Sequence, residues 1–245
     1  MQLGLDHTEA LAVLCSADLE IEGRMPWSSN ATFLVHLRDG DDEVAKAIYK
    51  PERGERPLWD FPSGLYRREA AAYRLWAATG WSALSGGGGV PPTVVRDGPL
   101  GVGSLQLFIP SDFEQHYFSL YEQREDLHDQ LQAICAFDLL ANNTDRKGGH
   151  CLLGHDGFVY AIDNGLCFAS PFKLRTVIWE FAGAPVPDVL LPQIEAIAGH
   201  VPDEVTELID DPEEIEAIQE RARDLATHGR FPVDPTGRRY PWPLV

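Results

Sequence analysis

The chain has 245 residues, enough for one large domain or two small ones. Its formal net charge is -18 and its lysines and arginines form no cluster, which argues against a nucleic-acid surface and against docking on anionic membranes. The sequence contains neither an apolar run of about 18 residues nor a basic stretch followed by an apolar one, so we expect no membrane span and no secretory signal.

The cysteines form no Cys-x-x-Cys pair, which makes a zinc site improbable and favours free, buried thiols in a reducing compartment. We therefore expect a cytoplasmic protein. The four positions are Cys15, Cys135, Cys151 and Cys167.

The N-terminal half is predicted to be rich in strands. The spacing of its leucines predicts a helix over residues 6–20. Residues 31–38 and 44–49 read as two strands flanking a turn, which predicts an antiparallel hairpin. An Ala-rich helix over residues 67–78 and a short strand over residues 105–109 follow.

Beyond Pro110 the pattern is mainly helical. Residues 126–140 carry an apolar stripe at helical spacing, and an acidic helix is expected over residues 212–223. The tail, residues 231–245, reads as irregular chain packed on the surface.

These elements predict an α+β protein of two lobes. The strand-rich N-lobe would comprise residues 1–109 and the mainly helical C-lobe residues 110–245. A ligand would lie in the cleft between them.

A short hairpin is predicted over residues 151–162, where two apolar stretches flank the dipeptide Asp156-Gly157. Asp-Gly is a strong signal for a two-residue turn. Centring such a turn on this dipeptide pairs Leu153 with Tyr160.

The same register brings chemically capable side chains together at the open end of the hairpin. It places His150 opposite Asp163, and Asp145 lies five residues before His150. Phosphoryl transfer needs such a set, because one carboxylate orients the attacking hydroxyl while two further ligands hold a divalent ion on the phosphates.

Residues of the N-terminal half are candidates for binding a nucleotide. Lys50 ends the second strand, where it could reach the phosphates with Glu69 as its ion-pair partner, and Lys46 competes for this role on the same strand face. Ser28 and Ser29 precede the first strand and could form an anion-binding nest, although that segment is not glycine-rich. The strand expected to offer backbone groups to an adenine edge comprises Gln106, Leu107, Phe108 and Ile109.

Other enzyme classes lack their motifs. The sequence has no His-x-x-x-His with an intervening Glu, no Gly-x-Ser-x-Gly and no Gly-Lys-Ser/Thr. A zinc hydrolase of that type is therefore poorly supported and a P-loop is excluded.

Taken jointly, these segments resemble the phosphatidylinositol 3-/4-kinase-like superfamily of atypical kinases, and in particular its small bacterial kinase-related members. The similarity covers roughly residues 20 to 180. The matching segments are Tyr49-Lys50-Pro51, Arg68-Glu69-Ala70-Ala71-Ala72-Tyr73, residues 105–109, Asp145-Arg146, and the 13-residue step from His150 to Asp163. The resemblance implies a bilobal protein-kinase-like fold, ATP binding, and dependence on Mg²⁺ or Mn²⁺.

Two residues depart from the superfamily pattern. His150 stands in place of Asn, and an imidazole favours manganese or softer metals over magnesium. Asn164 stands in place of Phe, an Asp-Asn-Gly form that also resembles secretory-pathway kinases of the same broad fold. The acidic charge argues against a lipid substrate in spite of the superfamily's name.

The sequence thus predicts an ATP-dependent phosphotransferase acting on a hydroxyl of a soluble protein or small molecule. Asp145 would orient the hydroxyl or accept its proton, His150 and Asp163 would hold the metal, and Arg146 or Lys147 would neutralise developing charge. Three alternatives stay open: a nucleotide-binding pseudokinase with a regulatory role, an AMP-transferring enzyme of the same fold, and a metal-dependent hydrolase.

Overall fold

The computed structural model describes residues 6–26, 28, 30–85 and 87–245. The elements of its N-terminal part are α1 (His7–Ser16), β1 (Asp18–Arg24), β2 (Phe33–Asp39), β3 (Asp42–Pro51), α2 (Leu65–Thr79), α3 (Trp81–Ser85), β4 (Thr93–Gly98) and β5 (Gly101–Leu107). The five strands form one antiparallel sheet with the order β1-β2-β3-β5-β4.

The C-terminal part is mainly helical and contains one two-stranded sheet among the described residues. Its elements are α4 (Tyr117–Gln123), α5 (His128–Ala141), β6 (Cys151–Leu153), β7 (Val159–Ala161), α6 (Leu191–Gly199), α7 (Asp203–Thr206) and α8 (Pro212–His228). The predicted α+β class is confirmed. Within the described part of the chain, no helix has the length and apolar character needed to cross a membrane.

The predicted hairpin of β2 and β3 is confirmed, and its two faces have different surroundings. Ala45, Ala47 and Tyr49 of β3 are fully buried in an apolar cluster that also includes residues of α1. The alternating residues Ile48 and Lys50 point to the opposite face, where they line a cavity. Because side chains alternate along the strand, Lys50 lies on the face of the sheet that lines the cavity.

The helix predicted over residues 6–20 is too long at its C-terminal end. It ends at Ser16, and the following segment forms β1, an edge strand paired with β2. Leu19 and Ile21 alternate with acidic residues, so this segment has the period of a strand rather than that of a helix.

Helix α2 is fixed at both ends, and most of its side chains are buried. Gly64 and Gly80 flank it in left-handed backbone conformations, at φ 93° and 65°. The Glu55 carboxylate accepts the amides of Gly64 and Tyr66 at 3.0 and 2.7 Å, which satisfies donors at the helix N-terminus. These contacts place the following turn of α2, which carries Glu69, against the cavity.

Helix α5 forms the centre of the C-terminal part and ends immediately before the segment with the predicted catalytic residues. Nearly all of its side chains from Leu131 onward are buried. It stops at Asn142, which adopts a left-handed conformation with φ 50°. The Asn142 side chain donates to the carbonyls of Ala169 and Pro171, each at 2.8 Å, and accepts the amide of Lys173 at 2.9 Å. The chain direction after α5 is thereby set.

Candidate active site

A cavity of about 570 Å³ lies between the Lys50 face of the sheet and the segments that follow α5 and β7. This volume falls in the range of about 300–1,000 Å³ that is usual for small-molecule sites. The predicted site residues on its lining are Ser28, Lys50, Glu69, Gln106, Leu107, Phe108, Ile109, Asp145, Lys147, His150 and Asp163. Ser29 lies outside the described residues, and Arg146 is not on the lining.

Lys50 is held between two carboxylates. Its ammonium contacts Glu69 and lies 2.8 Å from Oδ1 of Asp163. Burial works against the charged amine, but the attraction of Asp163 and Glu69 outweighs it and raises the pKa of Lys50 above its ordinary value. Lys46, its competitor in the sequence, instead lies 2.7 Å from Glu22 of the edge strand.

Glu69 links the two parts of the protein. It is 3% exposed, and while one of its oxygens contacts Lys50, Oε2 accepts the amide of Asn164 at 3.0 Å. A single carboxylate on α2 thus fixes both Lys50 and the chain that follows Asp163.

Helix α2 is anchored to the region of α8 by the two arginines before Glu69. Arg68 Nη2 donates to both oxygens of Glu214 at 2.8 Å, and Nη1 donates to the Cys167 carbonyl at 2.6 Å. Arg67 Nη2 donates to Oδ1 of Asp210 at 2.9 Å. Arg68 and Glu214 are each 6% exposed, so α2 cannot turn without breaking a buried ion pair. No local pattern in the sequence marks this anchor, because its partners lie 146 residues apart.

Asp145 projects from a segment whose backbone amides are held by hydrogen bonds. Its amide donates to Oδ1 of Asn143 at 2.9 Å, and the Arg146 amide donates to the Arg175 carbonyl at 3.0 Å. Oδ2 of Asp145 lies 3.0 Å from the Lys147 ammonium. Burial raises the pKa of Asp145 more than Lys147 lowers it, so the carboxylate binds a proton more readily than in water.

The C-terminal tail supports the next turn of this segment. The tail is irregular, as predicted, and the carbonyl of Leu244 accepts the amide of Gly148 at 2.7 Å. The carbonyl of Arg239 accepts the amide of Thr176 at 3.2 Å. The loop between Lys147 and His150 is therefore braced from outside the cavity.

The expectation that Arg146 neutralises charge in the cleft is wrong. Its side chain is fully buried and donates to Asp138 at 2.9 to 3.1 Å, to the carbonyl of Ile162 at 2.6 Å and to Oδ1 of Asn164 at 2.6 Å. These hydrogen bonds join α5 to the chain around Asp163. Of the two predicted cations, only Lys147 lines the cavity.

The predicted register of the β6–β7 hairpin is wrong by one residue. Leu153 pairs with Val159 rather than with the residue after it. The loop contains three residues instead of two, because the amide of Gly154 donates to the carbonyl of Phe158 at 2.8 Å and Gly157 takes a φ of 86°. An Asp-Gly dipeptide suits this longer loop as well as the two-residue turn.

His150 and Asp163 nevertheless meet, for a different reason. In the actual register the amide of Ile162 donates to the His150 carbonyl at 3.0 Å, so Asp163 lies one residue beyond the pairing. Asp163 has a φ of 58°, a left-handed conformation that is uncommon outside glycine and clusters at functional sites. With this backbone, Oδ2 of Asp163 lies 3.5 Å from Nε2 of His150.

The donor set of this pair fits a divalent cation. His150 Nδ1 lies 3.0 Å from the carbonyl of Asp145 and 3.4 Å from the amide of Lys147. In the tautomer with its proton on Nδ1, the ring donates to that carbonyl and Nε2 presents its lone pair to Asp163. Burial lowers the pKa of His150 to about 4, so the ring is neutral at pH 7. The Lys50 ammonium holds the pKa of Asp163 well below its usual range.

In that tautomer, two electron-pair donors, Nε2 of His150 and Oδ2 of Asp163, lie 3.5 Å apart and can bind one metal ion together. In the described ranges, no group of three or more His, Cys, Asp or Glu side chains is arranged to bind a metal by itself. A cation at His150 and Asp163 would thus take its other ligands from phosphate oxygens and water, which suits magnesium or manganese on a nucleotide.

The predicted base-binding strand lines the cavity, but two of its polar groups are already engaged. The Phe108 amide donates to the Lys46 carbonyl at 3.0 Å, because pairing with β3 continues one residue past β5. The Gln106 side chain donates to Oγ1 of Thr93 at 2.9 Å. At this end the cavity is bounded mainly by apolar side chains, including those of Ile48 and Ile109.

The fold is the bilobal kinase-like fold, as comparison with solved structures shows. The crystal structure of the Golgi casein kinase with Mn/ADP bound matches with a TM-score of 0.55 and 15% identity, over 97% of this chain and 80% of that one. The structure of hydra Fam20 with sugar matches with a TM-score of 0.55 and 15% identity, over 93% of this chain and 90% of that one.

A curated relative identifies the family more closely. Protein Rv2133c of Mycobacterium tuberculosis (strain ATCC 25618 / H37Rv) is 37% identical over 95% of this chain and 94% of its own length. The chain belongs to the family of this mycobacterial protein. No protein-family profile matches it.

Proposed function

We propose that the protein is an ATP-dependent phosphotransferase of the atypical-kinase type, acting on a hydroxyl of a soluble protein or small molecule. The observation that carries this proposal is the shared cavity in which Lys50, Glu69 and Asp163 form one ion-pair network, beside His150 and Asp145. A kinase-fold neighbour with Mn/ADP bound, and another with a sugar, support a nucleotide, a divalent metal and a hydroxyl acceptor.

Each side chain has a role that its geometry allows. Lys50, oriented by Glu69, binds the phosphates of ATP. His150 and Asp163 are the protein ligands for Mg²⁺ or Mn²⁺, an ion that would offset the negative charge of the phosphates. The apolar end of the cavity receives the base.

Asp145 orients the hydroxyl of the acceptor substrate. Oδ2 is held by Lys147, while Oδ1 has no hydrogen-bond partner among the described residues and is available to an incoming hydroxyl. The hydroxyl oxygen forms a bond to the γ-phosphorus, the bond to the β,γ-bridging oxygen breaks, ADP leaves, and the hydroxyl proton passes to Asp145. Lys147 lies beside this carboxylate and offsets charge that develops there.

We further infer the boundaries of the two lobes, the superfamily and the location of the protein. The division into a lobe of residues 1–109 and a lobe of residues 110–245 is supported by the five-stranded sheet, which lies wholly in the first range. The spacing of Lys50, Glu69, Asp145 and Asp163 supports membership of the phosphatidylinositol 3-/4-kinase-like superfamily. A reducing, cytoplasmic location is supported by the free thiols of all four cysteines.

Nucleotide binding tests the proposal directly. A titration with a non-hydrolysable ATP analogue should give saturable binding that requires Mn²⁺ or Mg²⁺. We expect Lys50→Met to weaken binding by roughly tenfold or more, about 1.4 kcal/mol for each factor of ten, because it removes the phosphate-facing ammonium.

Lys46→Met is the matched control, since Lys46 lies on the same strand and pairs with Glu22 rather than with the site. Its affinity should stay within about twofold of the wild type. Failure of the wild type to bind the analogue with either metal would refute the proposed function.

The anchor of α2 gives a second prediction, which concerns stability and KM. In Glu214→Gln, Arg68 loses a charged partner, and hydrogen bonds to charged groups are worth about 1.5–3 kcal/mol. We expect a lower melting temperature and, at temperatures where the variant is folded, a KM for ATP raised several-fold because Glu69 is less firmly placed.

Glu216→Gln is the control, because Glu216 is exposed on the same helix. Initial rates measured at a series of temperatures separate the loss of stability from the change in KM for ATP. Unchanged KM in fully folded Glu214→Gln would show that the anchor contributes to stability alone.

A further inference from the structure

One cation on the cavity lining has no acidic partner. The lining carries three basic side chains, Lys50, Arg56 and Lys147, and two of them are engaged by Glu69, Asp163 and Asp145. Arg56 is exposed to the cavity, and its guanidinium makes no ion pair or hydrogen bond with the described residues. A free guanidinium inside a binding cleft is available to a ligand.

The acid next to Arg56 in the sequence does not neutralise it. Both oxygens of Glu55 accept amides at the start of α2, from Gly64 at 3.0 Å and Tyr66 at 2.7 Å. The hydrogen bonds of Glu55 thus go to the helix N-terminus and not to the guanidinium of Arg56.

The backbone of Arg56 is firmly placed beside the loop between β1 and β2. Its amide donates to Oδ1 of Asn30 at 3.0 Å, and the Ala31 amide donates to the Gly54 carbonyl at 3.0 Å. The two segments approach each other closely, since a Cβ added to Gly54 would lie 2.5 Å from the Cβ of Ala31. The segment that carries Arg56 is therefore clamped onto this loop.

In protein kinases the equivalent loop is glycine-rich and covers the phosphates with backbone amides. Residues 25–32 contain no glycine, so the sequence provides no glycine-rich cover at this position. The lining also carries four carboxylates, those of Glu55, Glu69, Asp145 and Asp163, against its three cations. A triphosphate entering this cavity needs a further positive donor.

We propose that Arg56 is an anion-binding residue that holds the terminal phosphate of the nucleotide and replaces the missing glycine-rich cover. The inference rests on the proposed nucleotide-dependent function. A guanidinium suits the role because its planar fork donates two parallel hydrogen bonds to phosphate oxygens. An anionic group on the acceptor would offer the same chemistry, and the test separates the two sources.

The test compares affinities for ligands that differ only in their phosphates. The wild type, Arg56→Gln and Arg53→Gln are titrated with a non-hydrolysable ATP analogue, ADP and adenosine in the presence of Mn²⁺. Arg53 is the matched control, because it is exposed three residues earlier and is not on the cavity lining. Arg56 is exposed, so its substitution leaves the fold intact, which melting curves check.

We expect Arg56→Gln to lose roughly tenfold in affinity for the ATP analogue, a smaller factor for ADP and nothing for adenosine, while Arg53→Gln matches the wild type. An unchanged affinity for the ATP analogue in Arg56→Gln overturns the proposal. An equal loss for all three ligands also overturns it. Absence of nucleotide binding by the wild type defeats the proposed function as well.

Discussion

Replacement of Asp145 with Asn is expected to slow ATP consumption by a factor of roughly 10²–10⁴, the usual contribution of a positioned general base. The substitution keeps the shape of the side chain but removes its capacity to accept a proton from the attacking hydroxyl. Lys147 loses its carboxylate partner at the same time. Because Lys50 and the ligands of the cation are untouched, affinity for the ATP analogue should stay within a few-fold of the wild-type value.

The measurement is release of ADP with Mn²⁺ or Mg²⁺, with water or an added hydroxyl compound as acceptor. Asp97→Asn serves as a control, since Asp97 is an exposed carboxylate near the end of β4, where it pairs with Val102 of β5. Equal rates for Asp145→Asn and the wild type would remove Asp145 from the mechanism. A wild type that binds ATP but never consumes it would favour a regulatory pseudokinase, and mass spectrometry of a product bearing AMP would favour adenylyl transfer.

Elements with a clear local pattern could be predicted from the sequence. The β2–β3 hairpin, α2 and α5 were recognisable because apolar residues recur with the period of a strand or a helix within each segment. Strand β1 also alternates apolar and acidic residues, but it was merged with the preceding helix because Leu19 continues the apolar spacing of Leu11 and Leu14.

The hairpin after α5 shows how a local signal can be right in kind and wrong in register. Asp156-Gly157 marked the turn correctly, but a loop longer by one residue shifted every pair. The contact between His150 and Asp163 survives because Asp163 takes a left-handed conformation. That conformation depends on neighbours distant in the chain, so the sequence alone could not reveal it.

The site residues that were misjudged or missed are those whose partners are distant in the chain. Arg146 matched a catalytic-loop pattern, yet its side chain turns away from the cavity towards Asp138 on α5. The link between Arg68 and Glu214 leaves no local pattern in either helix. Spacing along the chain identified which side chains carry the chemistry, whereas the supports that hold them are set by tertiary packing.

The buried position of Arg146 leads to the largest expected effect on stability. Arg146→Met is predicted to lower the free energy of unfolding by about 3–5 kcal/mol, the usual cost of removing one partner of a buried ion pair. The loss is large because Asp138, 1% exposed, would keep a buried charge without its counter-ion, and the carbonyl of Ile162 and Oδ1 of Asn164 would lose donors.

Urea unfolding of the purified chain measures this change, with Arg175→Met as the control because Arg175 is exposed and only its backbone meets the catalytic segment. If the cost comes from the stranded charge, the double variant Asp138→Leu/Arg146→Met should be more stable than Arg146→Met alone, since removal of both partners leaves no buried charge unpaired. A double variant that is no more stable than Arg146→Met would instead assign the loss to the hydrogen bonds with Ile162 and Asn164. A wild-type-like Arg146→Met would mean that Asp138 is accommodated without its partner, and that the chain around Asp163 holds its conformation by packing alone.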